Sequence, residues 1–171
     1  MSRGGTSSAS AVGASEPMLP GLIVHHVETW CAASTLLSRS TLDRLCGKEF
    51  PSHARRAQLD LSQVLVATYH DDPMGCAAYK PGAAGMRVAH DLWVDANAPC
   101  GVAPVVVALL RHLEQDAIQS GCSKLFIVVS HATPLCRILQ RDGYAITLEG
   151  VDLLWLEKAF GSELERANGR G

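Results

Sequence analysis

Hydrophobic and polar residues alternate along the chain with two periods, and the period separates candidate strands from candidate helices. Between Met86 and Val94 a period of two predicts a strand. One face of this strand would carry Met86, Val88, His90, Leu92 and Val94, and the other Arg87, Ala89, Asp91 and Trp93. After a loop of turn-forming residues, Pro104 suits the first turn of a helix whose apolar positions recur at three- and four-residue spacing. Gly121 suits the C′ position that ends this helix.

Shorter apolar segments complete a mixed α/β prediction. The expected strands are Leu22–Trp30, Gln63–Tyr69, Met74–Tyr79, Met86–Val94, Cys122–Ser130, Tyr144–Leu148 and Val151–Glu157, and helices are expected at Ala32–Leu45 and Thr133–Asp142 in addition to the long one. The second and third strands would form a hairpin around the turn 70–73, and the last two a hairpin around Glu149-Gly150. The order β-α-β-β-β-α-β-α-β-β includes at least one parallel crossover, which predicts an α/β (α+β) sheet rather than a doubly wound one.

Three strands carry more specific expectations. The continuous hydrophobicity of Cys122–Ser130 predicts a central strand covered on both faces. Val151–Glu157, if it were left unpaired, could pair with a neighbouring chain, and the oligomeric state stays open. His25 and His26 fall on opposite faces of the first strand, so they cannot ligate one metal together.

The ends of the chain differ in composition from its middle. We expect residues 1–20 to form a flexible Ser/Gly/Ala-rich arm, residues 21–160 a single domain, and residues 161–171 a polar tail. The arm is either inert or docks on a partner. With 47% hydrophobic and 19% charged residues, the chain of 171 residues is globular in composition.

Charge and cysteine spacing exclude several classes of function. A net charge of −2 gives no electrostatic footprint for nucleic acid or acidic membranes, and no apolar run reaches the length of a membrane span. The six cysteines stand singly and the N-terminus lacks an apolar h-region, which favours a reduced, cytoplasmic location. No C-x2-C or H-x3-H spacing occurs, so no metal is expected.

The strand, loop and helix from Met86 to Gln119 form the strongest chemical feature of the sequence. A helix N-terminus that follows a strand and a glycine-containing loop is a ready site for an anion, because its first amides have no acceptor within the helix.

This stretch, VDANAPCGVAPVVVALLRHLEQDAIQSGCSKLFIVVS, and RDGY near the end resemble the GNAT superfamily of N-acetyltransferases over roughly Leu22 to Lys158. The resemblance implies a mostly antiparallel central sheet with a parallel splay, flanked by helices. It also implies transfer of acetyl from acetyl-CoA to an amine, on a small molecule or on a protein N-terminus or lysine. The loop amides of Cys100, Gly101, Val102 and Ala103 would bind the pyrophosphate, and the strand at Leu92, Trp93 and Val94 would hold the thioester.

The resemblance also suggests where an acid and a base would lie. His90 stands on the strand where many members place a glutamate base, and imidazole titrates in the suitable range; the other interpretation is a sheet-edge histidine that makes one hydrogen bond. Asp91 is an alternative base on the opposite face. Near the start of the late helix the titratable side chains are Cys136 and His131, and Cys136 is the candidate acid. Tyr144 is expected to pack its ring.

Four positions depart from the family pattern. Ala98 replaces the opening Arg or Gln, Pro104 removes an amide donor, Leu139 stands where a tyrosine acid is frequent, and Ala132 replaces an asparagine. They favour a second hypothesis, a catalytically inactive GNAT-fold structural or interaction protein, such as a virion-associated phage subunit tethered by its N-terminal arm. A third hypothesis is an acyl-CoA sensor that binds without turnover.

Overall fold

The computed structural model describes residues 19–27, 63–82, 85–131 and 133–161. Within these ranges the elements are β1 (Leu22–Val27), β2 (Gln63–Tyr69), β3 (Asp72–Pro81), β4 (Met86–Val94), α1 (Val102–Gln119), β5 (Lys124–Ser130), α2 (Leu135–Arg141), β6 (Ala145–Glu149) and β7 (Leu153–Ala159). The predicted helix Ala32–Leu45, most of the N-terminal arm, Ala132 and nearly all of the C-terminal tail lie outside the described residues.

The described strands form one seven-stranded sheet in the order β1-β2-β3-β4-β5-β7-β6. Every neighbouring pair is antiparallel except β4 and β5, which are parallel and joined through α1. The predicted mixed sheet with one parallel crossover is therefore confirmed. Val151–Glu157 is not left unpaired, because β7 lies between β5 and β6, and β1 and β6 are the outermost strands of the described sheet.

One face of the sheet, which we call the inner face, packs against α1, and α2 contacts α1 on the same side. The apolar stripe of α1 is buried at Val105, Val106, Leu109, Leu110, Leu113 and Ala117. The helix ends as predicted, with Ser120 at its C-cap and Gly121 at φ +72°, and the Cys122 amide donates to the Ala117 carbonyl over 2.9 Å. A left-handed residue at this position is the usual role of glycine at C′.

The opposite, outer face is buried to different extents in the two halves of the sheet. On β2 and β3 its side chains are buried: Val64, Val66, Cys76 and Ala78. On β5 burial alternates strictly, with Leu125, Ile127 and Val129 buried on the inner face while Phe126 and Val128 are half-buried on the outer one. The prediction that β5 is central is confirmed, but its outer side chains are half-buried rather than fully buried, and both described helices pack on the inner face.

The β2–β3 hairpin turn is tighter than predicted. Its turn residues are His70 and Asp71, with φ of 49° and 70°, and β3 already begins at Asp72. Two consecutive residues with positive φ give a two-residue hairpin connection whose twist matches that of the strands, and aspartate tolerates this conformation well.

None of the described helices combines the length and apolarity that crossing a membrane requires.

Candidate functional site

A wedge opens between β4 and β5, the parallel pair at the centre of the sheet. The two strands pair only from Met86↔Lys124 to Ala89↔Ile127, although both continue further. At the point of separation, β4 contains one residue more than β3: Tyr79 pairs with Ala89 and Ala78 with Asp91, so His90 is the extra residue of a β-bulge. A bulge bends its strand and increases the local twist. The separation of β4 from β5 therefore begins at His90.

The bulge also reverses the predicted faces of the second half of β4. Leu92 pairs with Ala77 and Val94 with Gly75, and both side chains pack against the inner core. They lie on the same face as Arg87 and Ala89, because the extra residue at position 90 shifts the alternation by one. By alternation from Ala89, His90 falls on the outer face, so the prediction that His90 shares a face with Leu92 and Val94 is wrong. The side chain of Asp91, the alternative base, is not among those that the structure describes.

Gly75 allows β3, β4 and α1 to approach closely beside the wedge. A Cβ atom added at this position would lie 2.8 Å from the Trp93 carbonyl oxygen and 3.0 Å from Val105 Cγ1. The first contact is with backbone, which cannot move aside cheaply. The absence of a side chain at Gly75 thus brings the beginning of α1 against the end of β4.

The loop from Asp95 to Gly101 presents the N-terminus of α1 at this edge of the sheet. The Ala98 amide donates to the Asp95 carbonyl over 3.1 Å, and the Gly101 amide donates to the Ala98 carbonyl over 2.8 Å. Gly101 is the N-cap residue at φ +87° and ψ 154°, a conformation open essentially to glycine alone. Within the described residues, α1 has no side-chain cap and its first turn no acidic residue.

The first turn of α1 offers two amides to a ligand. The amides of its first residues, Val102 and Ala103, have no acceptor within the helix, and Pro104 has no amide hydrogen. Gly101 and Ala103 are exposed, while Cys100 and Val102 are partly buried against the core. Ala98 is only 8% exposed and belongs to the core. The position where the resemblance implies Arg or Gln is thus an apolar packing position in this chain.

The remaining predicted groups lie around the wedge. Trp93 and His90 are half-buried on β4. Cys136 is in the first turn of α2, half-buried and packed against the core. Leu139, at the position of the frequent tyrosine acid, is fully buried and can only pack. The structure therefore places the loop and the strand residues at one end of the sheet, with Cys136 on the inner side and His90 on the outer.

A buried polar cluster between α1 and β7 has no counterpart among the sequence predictions. The Tyr144 hydroxyl donates to Glu114 Oε1 over 2.9 Å, and Lys158 Nζ donates to the same oxygen over 2.8 Å and to Asp142 Oδ2 over 3.3 Å. Burial, and then the Glu114 carboxylate, raise the pKa of Tyr144. The ring is packed as expected, but its hydroxyl is committed to Glu114. The cluster connects α1 to β7, and periodicity cannot predict it because its members are distant in sequence.

A second polar cluster lies under the C-terminal end of α1. The hydrogen bond between His26 Nε2 and the Tyr79 hydroxyl is 2.8 Å long, and Arg87 lies 5.2 Å from the centre of the Tyr79 ring while pairing with Asp116. Burial, and then Asp116, raise the pKa of Tyr79. His25 instead bonds Thr68 Oγ1 over 3.0 Å. The prediction that the two histidines face opposite ways is confirmed.

His131 follows β5 and contacts the β6–β7 turn. Its Nε2 donates to the Gly150 carbonyl over 2.9 Å, and its backbone amide donates to the Asp152 carbonyl over 3.1 Å. These bonds hold the hairpin against the end of β5, so His131 has a structural function here. No group of three or more potential metal ligands occurs in the part of the chain that the structure describes.

Comparisons with known proteins agree with this architecture. No family model matches the sequence, and a search of curated proteins finds no match. Among solved structures, the chain is similar to an IAA acetyltransferase from Bacillus cereus, at 14% identity and a TM-score of 0.62 over 81% of this chain and 99% of that one.

Two further solved structures contain the ligand class that the resemblance implies. A GNAT family acetyltransferase from Elizabethkingia anophelis, with acetyl-CoA bound, matches at 16% identity and a TM-score of 0.61, over 82% of this chain and 99% of that one. PaiA N-acetyltransferase from Thermoplasma acidophilum, in complex with coenzyme A, matches at 10% identity and a TM-score of 0.58, over 81% and 98%. At these identities the likeness concerns the fold.

Proposed function

We propose that this chain, which has the fold of the GNAT acetyltransferases, transfers acetyl from acetyl-CoA to an amine. One observation carries the proposal: the wedge that opens at the His90 bulge and the exposed N-terminus of α1 lie at the same end of the sheet. A thioester needs a slot beside a strand edge, and a pyrophosphate needs backbone amides at a helix start. This chain has both features in one place.

The residues present fit acetyl-CoA with a reduced set of donors. The amides of Val102 and Ala103 would bind the pyrophosphate, Gly101 lets the backbone approach it, and Cys100 lies in the same loop. The edge of β4 from Leu92 through Trp93 to Val94 is not paired by β5, so its backbone groups can bond the amides of the pantetheine arm. Ala98 and Pro104 contribute no donor, so binding would depend on the two helix amides and the wedge.

The chemistry requires a neutral amine next to the thioester carbon. His90, at the vertex of the wedge, would accept a proton from the incoming ammonium group. The amine nitrogen then attacks the carbonyl carbon, a C–N bond forms, the C–S bond breaks, and the nitrogen releases its second proton to solvent. The sulfur leaves as a thiolate that takes up one proton, with Cys136 as the candidate donor; Cys136 regains a proton from solvent and His90 releases its own. The sum is R–NH3+ plus acetyl-CoA giving the N-acetyl amide, CoA–SH and one proton.

Calorimetric titration with acetyl-CoA tests the site directly, using two variants at one exposed position. We expect micromolar binding by the parent chain and a loss of at least about a hundredfold, or about 2.7 kcal/mol, in Ala103→Glu. A carboxylate in the first turn is stabilised by the helix dipole, so Ala103→Glu should keep or raise the melting temperature of the chain. The same carboxylate should repel phosphate. Ala103→Gln, of nearly the same size and without charge, is the matched control and should bind.

Absence of binding by the parent chain at millimolar acetyl-CoA would exclude the transferase. The non-catalytic GNAT-fold subunit would then be favoured, together with a search for partners of the N-terminal arm. The buried Leu139 and Ala98 are the observations that favour this alternative, and the comparisons give it no support. Binding without turnover for any amine would instead favour the acyl-CoA sensor.

A further inference from the structure

The outer face of β5, β7 and β6 carries an apolar patch that no described helix covers. Val128 pairs with Trp155, Ser130 with Leu153, and Trp155 in turn with Leu148, so these side chains share one face. Together with Phe126 they form what we call the outer patch: Phe126, Val128, Leu148, Leu153 and Trp155. Leu148 is 60% exposed and Leu153 47% exposed.

The outer patch has an aromatic centre and is continuous with the wedge. The rings of Phe126 and Trp155 meet edge to face with centroids 6.5 Å apart. Val128 is the first β5 residue beyond Ile127, the last one that pairs with β4. His90 falls on the same outer face across the wedge. From β4, which carries His90, across β5 to Trp155 on β7 there are two strand spacings, about 10 Å, which suits a phenylalkyl amine with its nitrogen at the wedge.

The charges around the outer patch suit a cationic amphiphile. On the outer face of β5, β7 and β6, the basic side chain among the described residues is that of Lys124, which pairs with Glu157 over 2.7 Å. Lys80 lies on the same face of β3, opposite Val88 and outside the patch. The turn that follows β6 begins beside Glu149 and includes Asp152, both exposed. An amine whose apolar body covers the aromatic pair would therefore meet no unpaired lysine or arginine among the described outer-face residues of β5, β7 and β6.

We propose that the acceptor is a primary amine with an apolar body of aromatic size, which lies on the outer patch while its nitrogen reaches the wedge at His90. This proposal rests on the proposed acetyl transfer and adds the acceptor class. A polar amine or a polyamine would leave the patch in water and gain nothing from it, so the patch should select between amines that share the same reacting group.

The test compares phenethylamine, ethanolamine and spermidine, with release of CoA followed chromatographically. We expect kcat/KM for phenethylamine to exceed that for ethanolamine and for spermidine at least a hundredfold. Val128→Lys should raise KM for phenethylamine at least tenfold and leave KM for acetyl-CoA unchanged, because Val128 lies on β5 directly beyond the residues that pair with β4. Ile146→Lys is the matched control, because Ile146 is exposed on β6 but pairs with Leu156 on the inner face; it should change neither constant.

Several outcomes would overturn the proposal. Preference for ethanolamine or spermidine, or equal effects of the two lysine variants, would exclude the outer patch as the acceptor surface while leaving acetyl transfer intact. A parent dimer that Val128→Lys converts to a monomer, and that does not bind phenethylamine, would identify the patch as a subunit interface. If acetyl-CoA fails to bind while phenethylamine binds to the parent chain and not to Val128→Lys, the transferase would instead be overturned.

Discussion

The two halves of the outer face of the sheet, separated by the wedge, contain similar residues and differ in burial. On β2, Val66 is 2% exposed, whereas on β5 Val128 is only half-buried. The inner face shows no such difference, since α1 packs across strands on both sides of the wedge. Side-chain hydrophobicity therefore does not report burial by itself. An apolar position that no described element covers is a candidate for contact with another molecule.

The largest expected effect is a difference between the two halves in how much stability a buried charge costs. Val66→Asp places an unpaired carboxylate in a buried site and should cost at least about 4 kcal/mol or prevent folding. Val128→Asp changes the same residue type on the same face beyond the wedge, where water can reach the carboxylate, and should cost about 1 kcal/mol or less. Urea unfolding measures both. Equal losses would show that the outer face of β5 is buried as deeply as that of β2.

A second prediction concerns the boundary between the halves. His90→Gln preserves the size and hydrogen-bonding capacity of the side chain but removes its proton acceptor. We expect kcat/KM for the acetylated amine to fall by about 10²–10⁴ at pH 7, with acetyl-CoA binding retained in the calorimeter. His25→Gln, at an exposed histidine on β1, is the control and should leave the rate unchanged. Full activity of His90→Gln would limit His90 to shaping the bulge.

A third prediction concerns the polar cluster around the buried Glu114, on the side of the sheet that α1 covers in both halves. Tyr144→Phe removes the hydroxyl that donates to the buried Glu114 and should cost about 1–3 kcal/mol. Lys158 still donates to that carboxylate, so the chain should fold. Thermal or urea unfolding measures the loss, and a change below about 0.5 kcal/mol would show that the Tyr144–Glu114 bond is dispensable.

The same tyrosine predicts how stability depends on pH. Because burial raises the pKa of Tyr144 in the folded chain, the native state holds this proton where the unfolded state, with a pKa of about 10, releases it. Stability should therefore be insensitive to this group below about pH 10 and fall above it, by up to about 1.4 kcal/mol per pH unit. Tyr144→Phe should reduce that slope. Tyr79, whose pKa is also raised, should contribute in the same way.

Most of the fold could be predicted from sequence because it depends on local patterns. Local sequence determines the apolar stripe of α1, its end at Gly121 and the succession of elements along the chain. The bulge at His90 could not be predicted, since it is a mismatch in length between β4 and β3 that appears only when the strands pair. That single residue reversed the predicted faces of Leu92 and Val94.

The anion-binding loop of the candidate site could be predicted from the sequence, whereas the polar cluster and the sheet face around it could not. A glycine before an apolar helix identifies an anion site locally, and Gly101 has the positive φ that the position needs. The Glu114–Tyr144–Lys158 cluster joins residues 30 and 44 positions apart, and no spacing rule connects them. The half-buried outer face of β5 could not be predicted for a related reason: continuous hydrophobicity predicts full burial only where another element covers the strand.

The smallest expected effect concerns the acid, which would approach from the face opposite to His90. Cys136 packs against the inner core, and a thiolate leaving group with the ordinary pKa of a thiol needs little protonation to depart. We therefore expect Cys136→Ala to lower kcat by about tenfold or less, with KM for both substrates unchanged. Cys122→Ala removes a buried thiol elsewhere and controls for packing loss, with melting temperatures measured for both. A fall in kcat of more than about a hundredfold would make Cys136 an obligatory donor, and acid and base would then act from opposite faces of the sheet.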